Sequence, residues 1–362
     1  MRTALKLCLG VLALAFVAAC EGLPASPPAG PAAAKVAPLD EPSIAFVCFL
    51  AEDEDSGQLF RVSADGRAVQ PLAPDVRDAR VPAWSPDGGW IAFQADKHGW
   101  VWALANFEGD EEVYRVAPDG SHLQQLTDNW GDDARPVWSP DGRWIAFAAS
   151  DPFAGWSVFR MRADGGERAQ LTAGLDTGAS LAWSPDSAWI AFTTTEDDGT
   201  QRLDAVRPDG SSLRHVAADA SIDALAWSGD GRWIAYDSTD AVRVRVRPDG
   251  SGTQFLQTPA AGPPTWSSQR PPPAVEHPAR TRKPVALLDP ATFDVADSIA
   301  VPADAGPLTF SPDRAWVAFS SKDAGDGLSF AEIFKMRLDG SGLQRLTNMD
   351  CNATEPAWSP TK

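Results

Sequence analysis

The residues that could do chemistry are few and scattered. Four histidines, His98, His122, His215 and His277, each fall in a different segment of the chain, and nothing at metal-ligand spacing joins them. The run Glu52-Asp53-Glu54-Asp55 is dense enough in carboxylates for Ca²⁺, but it lacks the Asp-x-Asp-x-Asp-Gly ladder and reads as a solvated loop. No Gly-x-Ser-x-Gly elbow is present, so no hydrolase nucleophile is announced. Acidic residues at the channel mouth, near Asp78-Arg80 and Asp133-Arg135, are those on which an enzymatic reading would rest. Asn352-Ala353-Thr354 matches a glycosylation acceptor by accident of composition. The expectation is a chain with no catalytic residue, no metal and no cofactor.

The elements that position these residues announce themselves by repetition. AWSPDGGWIAF at 83–93, VWSPDGRWIAF at 137–147, AWSPDSAWIAF at 182–192, AWSGDGRWIAY at 226–236 and TFSPDRAWVAF at 309–319 are copies of one phrase. The Trp of the Trp-Ser pair falls at Trp84, Trp138, Trp183, Trp227, Trp266 and Trp358, with Phe310 in the slot between the last two. Asp-Gly turns run in phase with it, at Asp65, Asp119, Asp164, Asp209, Asp249 and Asp339, with Asp289-Pro290 in the degenerate slot. Both markers count seven.

Each unit reads as four short strands. Ser-Pro-Asp-Gly makes the first hairpin, since Pro presets φ and Gly tolerates positive φ. The later Pro-Asp-Gly-Ser makes the third-to-fourth turn. In the second unit the strands are expected at 81–85, 90–95, 112–117 and 122–126. Stretches such as Trp90-Ile91-Ala92-Phe93 are apolar on both sides, which suits a sheet packed between two others. The fold expected is all-β: a seven-bladed β-propeller of four-stranded antiparallel blades, with six blades as the alternative count. The strand at Ile44 has no Trp-Ser-Pro before it, and Trp358 has no second strand after it. The C-terminal strand, 355–360, is therefore expected to close the ring by completing the blade that holds Ile44.

The repeated phrase resembles the WD-repeat-like blades of the TolB propeller family over about 44–360, with 266–308 degenerate. The resemblance implies a propeller of the cell envelope and, more remotely, a role like that of the Tol–Pal system. The chain departs from the family pattern in lacking an N-terminal α/β domain and in its count of seven units where TolB has six. Its scattered histidines do not fit the lyase propellers, which need clustered His.

A third departure is the leader. Residues 1–19 carry Arg2 and Lys6 followed by the apolar run Leu7–Ala19, too short to span a bilayer. Val17-Ala18-Ala19-Cys20 resembles a bacterial lipobox, which implies a diacylated Cys20 and stable anchoring through more than one acyl chain. Residues 20–42 hold that Cys and a Pro/Ala-rich spacer. The domains expected are thus 1–19 signal peptide, 20–42 lipidated linker and 43–362 propeller. With Arg2 and Lys6 set aside, 29 of the 31 basic residues face 49 acidic ones. That excess argues against nucleic acid and against adhesion to anionic lipid, and it serves solubility.

Two further constellations follow from strand order. If Trp358 pairs with Ile44 as Trp84 pairs with Ile91, Cys48 and Cys351 meet at one end of that hairpin, as a disulfide or as two buried thiols. Strand order also puts every second-to-third-strand loop and every connection between blades at one end of the sheets, opposite the Asp-Gly turns. Trp100, Trp102, Phe107, Trp130, Phe153 and Trp156 all fall there, among acidic neighbours. They form a candidate partner-binding patch, or a satellite core if the 97–107 insertion folds on itself. The basic stretch Arg270, Arg280, Arg282, Lys283 reads as a divergent loop. The function expected is a monomeric, non-catalytic scaffold, anchored by lipid on the periplasmic side of the outer membrane, that binds an envelope protein. A glycan- or peptidoglycan-binding module and a propeller enzyme are the alternatives.

Overall fold

The computed structural model describes residues 42–50, 53–96, 111–151, 155–173, 180–196, 198–219, 221–238, 243–256, 265–266, 282–288, 295–322, 324 and 328–360. They form strands and turns. Six sheets are four-stranded antiparallel blades. Blade 1 joins Cys351–Trp358 to Ser43–Leu50, Asp53–Ser63 and Val69–Pro71. Blade 2 is Arg77–Trp84, Ile91–Asp96, Glu111–Val116 and Gln124–Gln125; blade 3 is Asp133–Trp138, Trp144–Asp151, Gly155–Arg162 and Ala169–Gln170. Blade 4 is Leu181–Trp183, Ile190–Thr195, Gln201–Val206 and Arg214–Asp219; blade 5 is Ile222–Trp227, Ile234–Ser238, Arg243–Val246 and Gln254–Leu256. Blade 6 is Thr309–Phe310, Trp316–Ser321, Glu332–Arg337 and Gln344–Arg345.

The expected count of seven such blades is corrected to six. Between blades 5 and 6 lies a smaller, three-stranded sheet of Thr265–Trp266, Arg282–Leu288 and Val295–Pro302. Its first pair is parallel, Thr265 opposite Leu287 and Trp266 opposite Leu288. The reason is local chemistry. After Trp266 the chain reads Ser-Ser-Gln-Arg, without the Pro-Asp-Gly that folds the next strand back antiparallel elsewhere. The expected Asp289-Pro290 turn lies outside the described residues.

The turn explains why the motif is needed. Ser85 Oγ donates to Asp87 Oδ1 (2.6 Å), while the amides of Gly89 and Trp90 donate to Asp87 Oδ1 and Ser85 Oγ (both 2.9 Å). The Ser–Asp bond and the Trp amide bond recur at Ser139/Asp141/Trp144, Ser184/Asp186/Trp189, Ser228/Asp230/Trp233 and Ser311/Asp313/Trp316. The residue after Asp takes positive φ even where it is not glycine: 58° at Ser187 and 54° at Arg314.

Two kinds of Trp then hold blades together. The first-strand indoles of Trp84, Trp138, Trp183 and Trp227 donate to Ala357, Ala83, Val137 and Ala182 carbonyls of the preceding blade. The second-strand Trp90 and Trp144 lie under the Arg115 and Arg160 guanidiniums at 4.0 and 3.8 Å. Arg115 then reaches on to the Ala163 carbonyl of blade 3 (2.7 Å). Stacked Phe pairs such as Phe147–Phe159 and Phe319–Phe334 fill the layers between sheets.

Closure is achieved by the C-terminal strand, where Ile44 faces Trp358 and Leu50 faces Cys351. Blade 6 meets it through Ala353 N to Ala331 O (2.8 Å) and Gln344 Nε2 to Asp65 O (2.9 Å). Among the described residues no helix is long and apolar enough to cross a membrane.

Candidate functional site

The first strands of blades 1, 2 and 3 share one irregularity. Glu355, Val81 and Arg135 each precede a proline and each take positive φ, 51°, 51° and 56°. Such a backbone is costly, most of all for β-branched Val81. Each marks a break in strand register, the signature of a bulge. Two of the three bulged amides are satisfied from the preceding blade: Glu355 Oε2 accepts from Val81 N (2.6 Å) and Gln94 Oε1 from Arg135 N (2.7 Å). Gln94 Nε2 in turn donates to Glu111 Oε2 (3.0 Å).

Charge accumulates around these bulges. Asp78 pairs with Arg80 at 2.9 Å. Burial pushes the Glu355 carboxyl above its ordinary range, against the pull of the Val81 amide and Arg80. Burial, helped by nearby Asp132, raises Glu111 likewise. Asp78 and Arg80 thus form an ion pair, whereas Asp133 and Arg135 are placed apart in role. Asp133 is wholly buried and bonds to Arg168 instead (3.1 Å), while Arg135 is exposed.

The turn from blade 2 to blade 3, residues 126–132, is the most elaborately fastened in this region. Glu112 Oε1 accepts from Asn129 N (2.8 Å), and Asn129 Nδ2 donates to Asp133 Oδ2 (2.6 Å). Asn129 Oδ1 accepts from Gly131 N (3.0 Å). Asp132 exchanges hydrogen bonds with Ser150: its amide donates to Ser150 Oγ and its carbonyl accepts from Ser150 N, both 2.7 Å. Gly131 lies so close to blade 3 that a Cβ would stand 1.9 Å from the Ser150 carbonyl oxygen. Between these clamped neighbours Trp130 projects outward, 89% exposed.

The same turn is built again between blades 6 and 1. Met349 N donates to Glu332 Oε1 (2.9 Å) as Asn129 N does to Glu112. Ala331 N donates to Asn352 Oδ1 (3.1 Å) as Glu111 N does to Asp132 Oδ1 (3.2 Å). At six positions the two turns diverge, among them Asn348 for Asp128, Met349 for Asn129 and Asn352 for Asp132. Asp350 replaces Trp130, Cys351 replaces Gly131, and buried Ala353 replaces buried Asp133. Cys351 is bonded to Cys48, with Cα atoms 5.7 Å apart.

Of the six aromatics expected to share a surface, Trp130 and Trp156 are described. Trp156 is half-buried and sits opposite Ser150, the residue that clamps the Trp130 turn. Trp100, Trp102, Phe107 and Phe153 lie outside the described residues, as do Cys20, the leader, and the linker through residue 41. Of the histidines, His122 is exposed beside the Trp90 ring and His215 pairs with Asp204 (3.1 Å) in blade 4. Among the described residues, no three His, Cys, Asp or Glu side chains converge as a metal site. The Glu112–Asp133–Arg168 cluster was not anticipated; the signal available was the alignment of Glu112 with Glu332 across two repeats.

A model of the TolB beta propeller domain matches residues 91–270. A TolB homolog of Chlorobium chlorochromatii is 29% identical over 137 residues, covering 29% of this chain and 31% of that protein. The Tol-Pal system protein TolB of Desulfosudis oleivorans is 27% identical over 118 residues, covering 24% and 27% of the two chains. The match thus spans about a third or less of these relatives' own length. The crystal structure of TolB from Acinetobacter baumannii shares the fold, with a TM-score of 0.54 at 19% identity, covering 88% of this chain and 66% of that one. Its repeated turns, its blades and these matches support a TolB-type propeller.

Proposed function

We propose that this chain is a non-catalytic propeller, held by a lipidated Cys20 on the periplasmic side of the outer membrane, that captures another envelope protein through the loop end of blades 2 and 3. The observation that carries the reading is Trp130: an 89% exposed indole on a turn whose flanking residues are all fixed. Exposed Trp residues at a binding centre are the usual anchors of protein interfaces, and fixing one in advance lowers the entropy cost of association. The charged groups nearby, Asp78, Arg80, Glu111 and Arg135, supply a polar rim of both signs. The relatives bearing TolB names support an envelope setting for such a partner.

Crosslinking and pull-down from native membranes test it. Trp130→Ala should cut capture of the partner by roughly thirtyfold, the equivalent of about 2 kcal/mol, while thermal unfolding stays put. Undiminished capture would remove Trp130 from the interface. Quenching of Trp fluorescence by peptidoglycan fragments, lost in the same variant, would instead establish a glycan ligand.

A further inference from the structure

We infer that the outer strands of blade 4 carry a sugar-binding site built on Arg202, Asp204 and His215. It is separate from the loop end of blades 2 and 3 and does not rest on the reading of Trp130.

The site shows as a break in the repeat. In every blade one residue of the third strand lies opposite a ring of the second strand. In four blades that residue is itself a ring, stacked on its partner: Phe60 on Phe46, Tyr114 on Phe93, Phe159 on Phe147 and Phe334 on Phe319. Blade 5 sets Val244 opposite Tyr236. In blade 4 the residue opposite Phe192 is Asp204, only 4% exposed. A carboxylate there costs desolvation that its five sisters avoid. A repeat that breaks at such a cost marks a place where binding or chemistry outweighs packing.

The groups around Asp204 hold it and are held by it. Arg202 Nη2 spans both of its oxygens, at 3.2 Å from Oδ1 and 3.1 Å from Oδ2, while Arg202 Nη1 donates to Glu196 Oε1 (2.8 Å). His215 Nδ1 lies 3.1 Å from Asp204 Oδ1. That contact depends on a slip between the third and fourth strands: Leu203 faces Ala217, whereas Asp204, the next residue, faces His215. Blades 2 and 3 carry Gln125 and Gln170 at the position of His215. Because a carboxylate only accepts, Asp204 selects the tautomer with its proton on Nδ1 and leaves Nε2 a lone pair.

The triad borders an open groove of about 670 Å³, lined by Glu196, Asp198, Thr200, Arg202, His215 and Ala218. That volume suits a small ligand. Its wall offers carboxylate oxygens and an imidazole nitrogen as acceptors, and a guanidinium and a hydroxyl as donors. An anion would meet Glu196 and Asp198, and a cation would meet Arg202. Hydroxyl groups donate and accept, so a sugar unit can satisfy both kinds of group without a like-charge contact.

NMR titration of the full-length protein with the N-acetylglucosamine trimer, and separately with maltotriose, tests the site. At least one of the two should bind with a Kd of about 1 mM or below and shift both the His215 ring and the Ala218 amide. His215→Gln, which installs the residue of blades 2 and 3, should weaken binding at least about tenfold and leave the unfolding temperature unchanged. Asp204→Phe, which installs the ring of the sister blades, should do the same to binding; if it does not fold, His215→Gln decides. No shift with either sugar, or shifts that survive His215→Gln, would overturn the site. Tighter binding of inorganic phosphate or putrescine would also overturn it, by showing an ion site. Trp130→Ala should leave the sugar titration unchanged, so a failed pull-down and a failed sugar site are separate results.

Discussion

The two equivalent turns, 126–132 between blades 2 and 3 and 346–352 between blades 6 and 1, use the same backbone bonds for different ends. At the ring's closure the turn is fastened by a disulfide and an apolar Ala353, both indifferent to mild changes of pH. At the Trp130 turn the fastening is wholly non-covalent and includes Asp133, an acid that burial has brought to titrate near neutrality. The difference teaches that a repeat separates scaffold from site: where closure matters the chain spends cysteines, and where display matters it spends polar groups that can yield.

Breaking the covalent side should have the largest effect. Cys351→Ser removes a bond between residues 303 apart in sequence, and should cost about 2–5 kcal/mol in denaturant unfolding. Wild type measured under reductant should match it; a variant as stable as the oxidised protein would show that the bond plays no part in closure. Next comes Gly131→Ala, whose added methyl meets the Ser150 backbone at 1.9 Å and cannot be relieved by a side-chain rotation. A loss of about 1–3 kcal/mol is expected, and unchanged stability would mean the turn gives way easily.

A smaller effect sharpens the comparison by pH. The wild type should lose stability relative to Asp133→Asn as pH rises from about 4 to about 7, by no more than about 1.4 kcal/mol per pH unit for a single proton. Carboxylates that do not interact with Asp133 cancel in this difference, so parallel curves from pH 4 to 8 would leave Asp133 without a proton to release. The smallest effect belongs to Trp130→Ala. With 89% of its surface already in water, its removal should move the unfolding free energy by less than about 0.5 kcal/mol. A large loss there would mean the indole packs on something in the folded protein.

Much of this architecture was readable from the chain. Ser-Pro-Asp-Gly-x-Trp places a hairpin wherever it occurs, because Ser, Asp and Trp each fill a fixed role in one hydrogen-bonded turn. The pairing of Ile44 with Trp358, and with it the approach of Cys48 to Cys351, follows from extending that hairpin rule to the two chain ends. The three-stranded sheet was not readable, since counting Trp at position 266 says nothing of the turn that must follow it. The contact of Asp133 was not readable for a related reason: a break in register at 135–136 follows it, and its partner Arg168 comes from a more distant segment. Strand order puts Trp130 in the connection between blades 2 and 3; the close approach of Gly131 to Ser150 beside it is something no local pattern reveals.

The strand Ser43–Leu50 acquires its inner neighbour only when residues 351–358 arrive, some three hundred residues later in the order of synthesis. Until then its edge waits unpaired while every other blade has the means to assemble from contiguous chain. Closure is therefore a late, non-local event with a high entropic threshold, the step on which the rate of folding should depend. Once the Cys48–Cys351 bond has formed, a nick anywhere between those residues would leave one covalently joined molecule. Proteolysis within that stretch would not by itself release a fragment, and the ring would behave toward a single cut as a circle rather than a string.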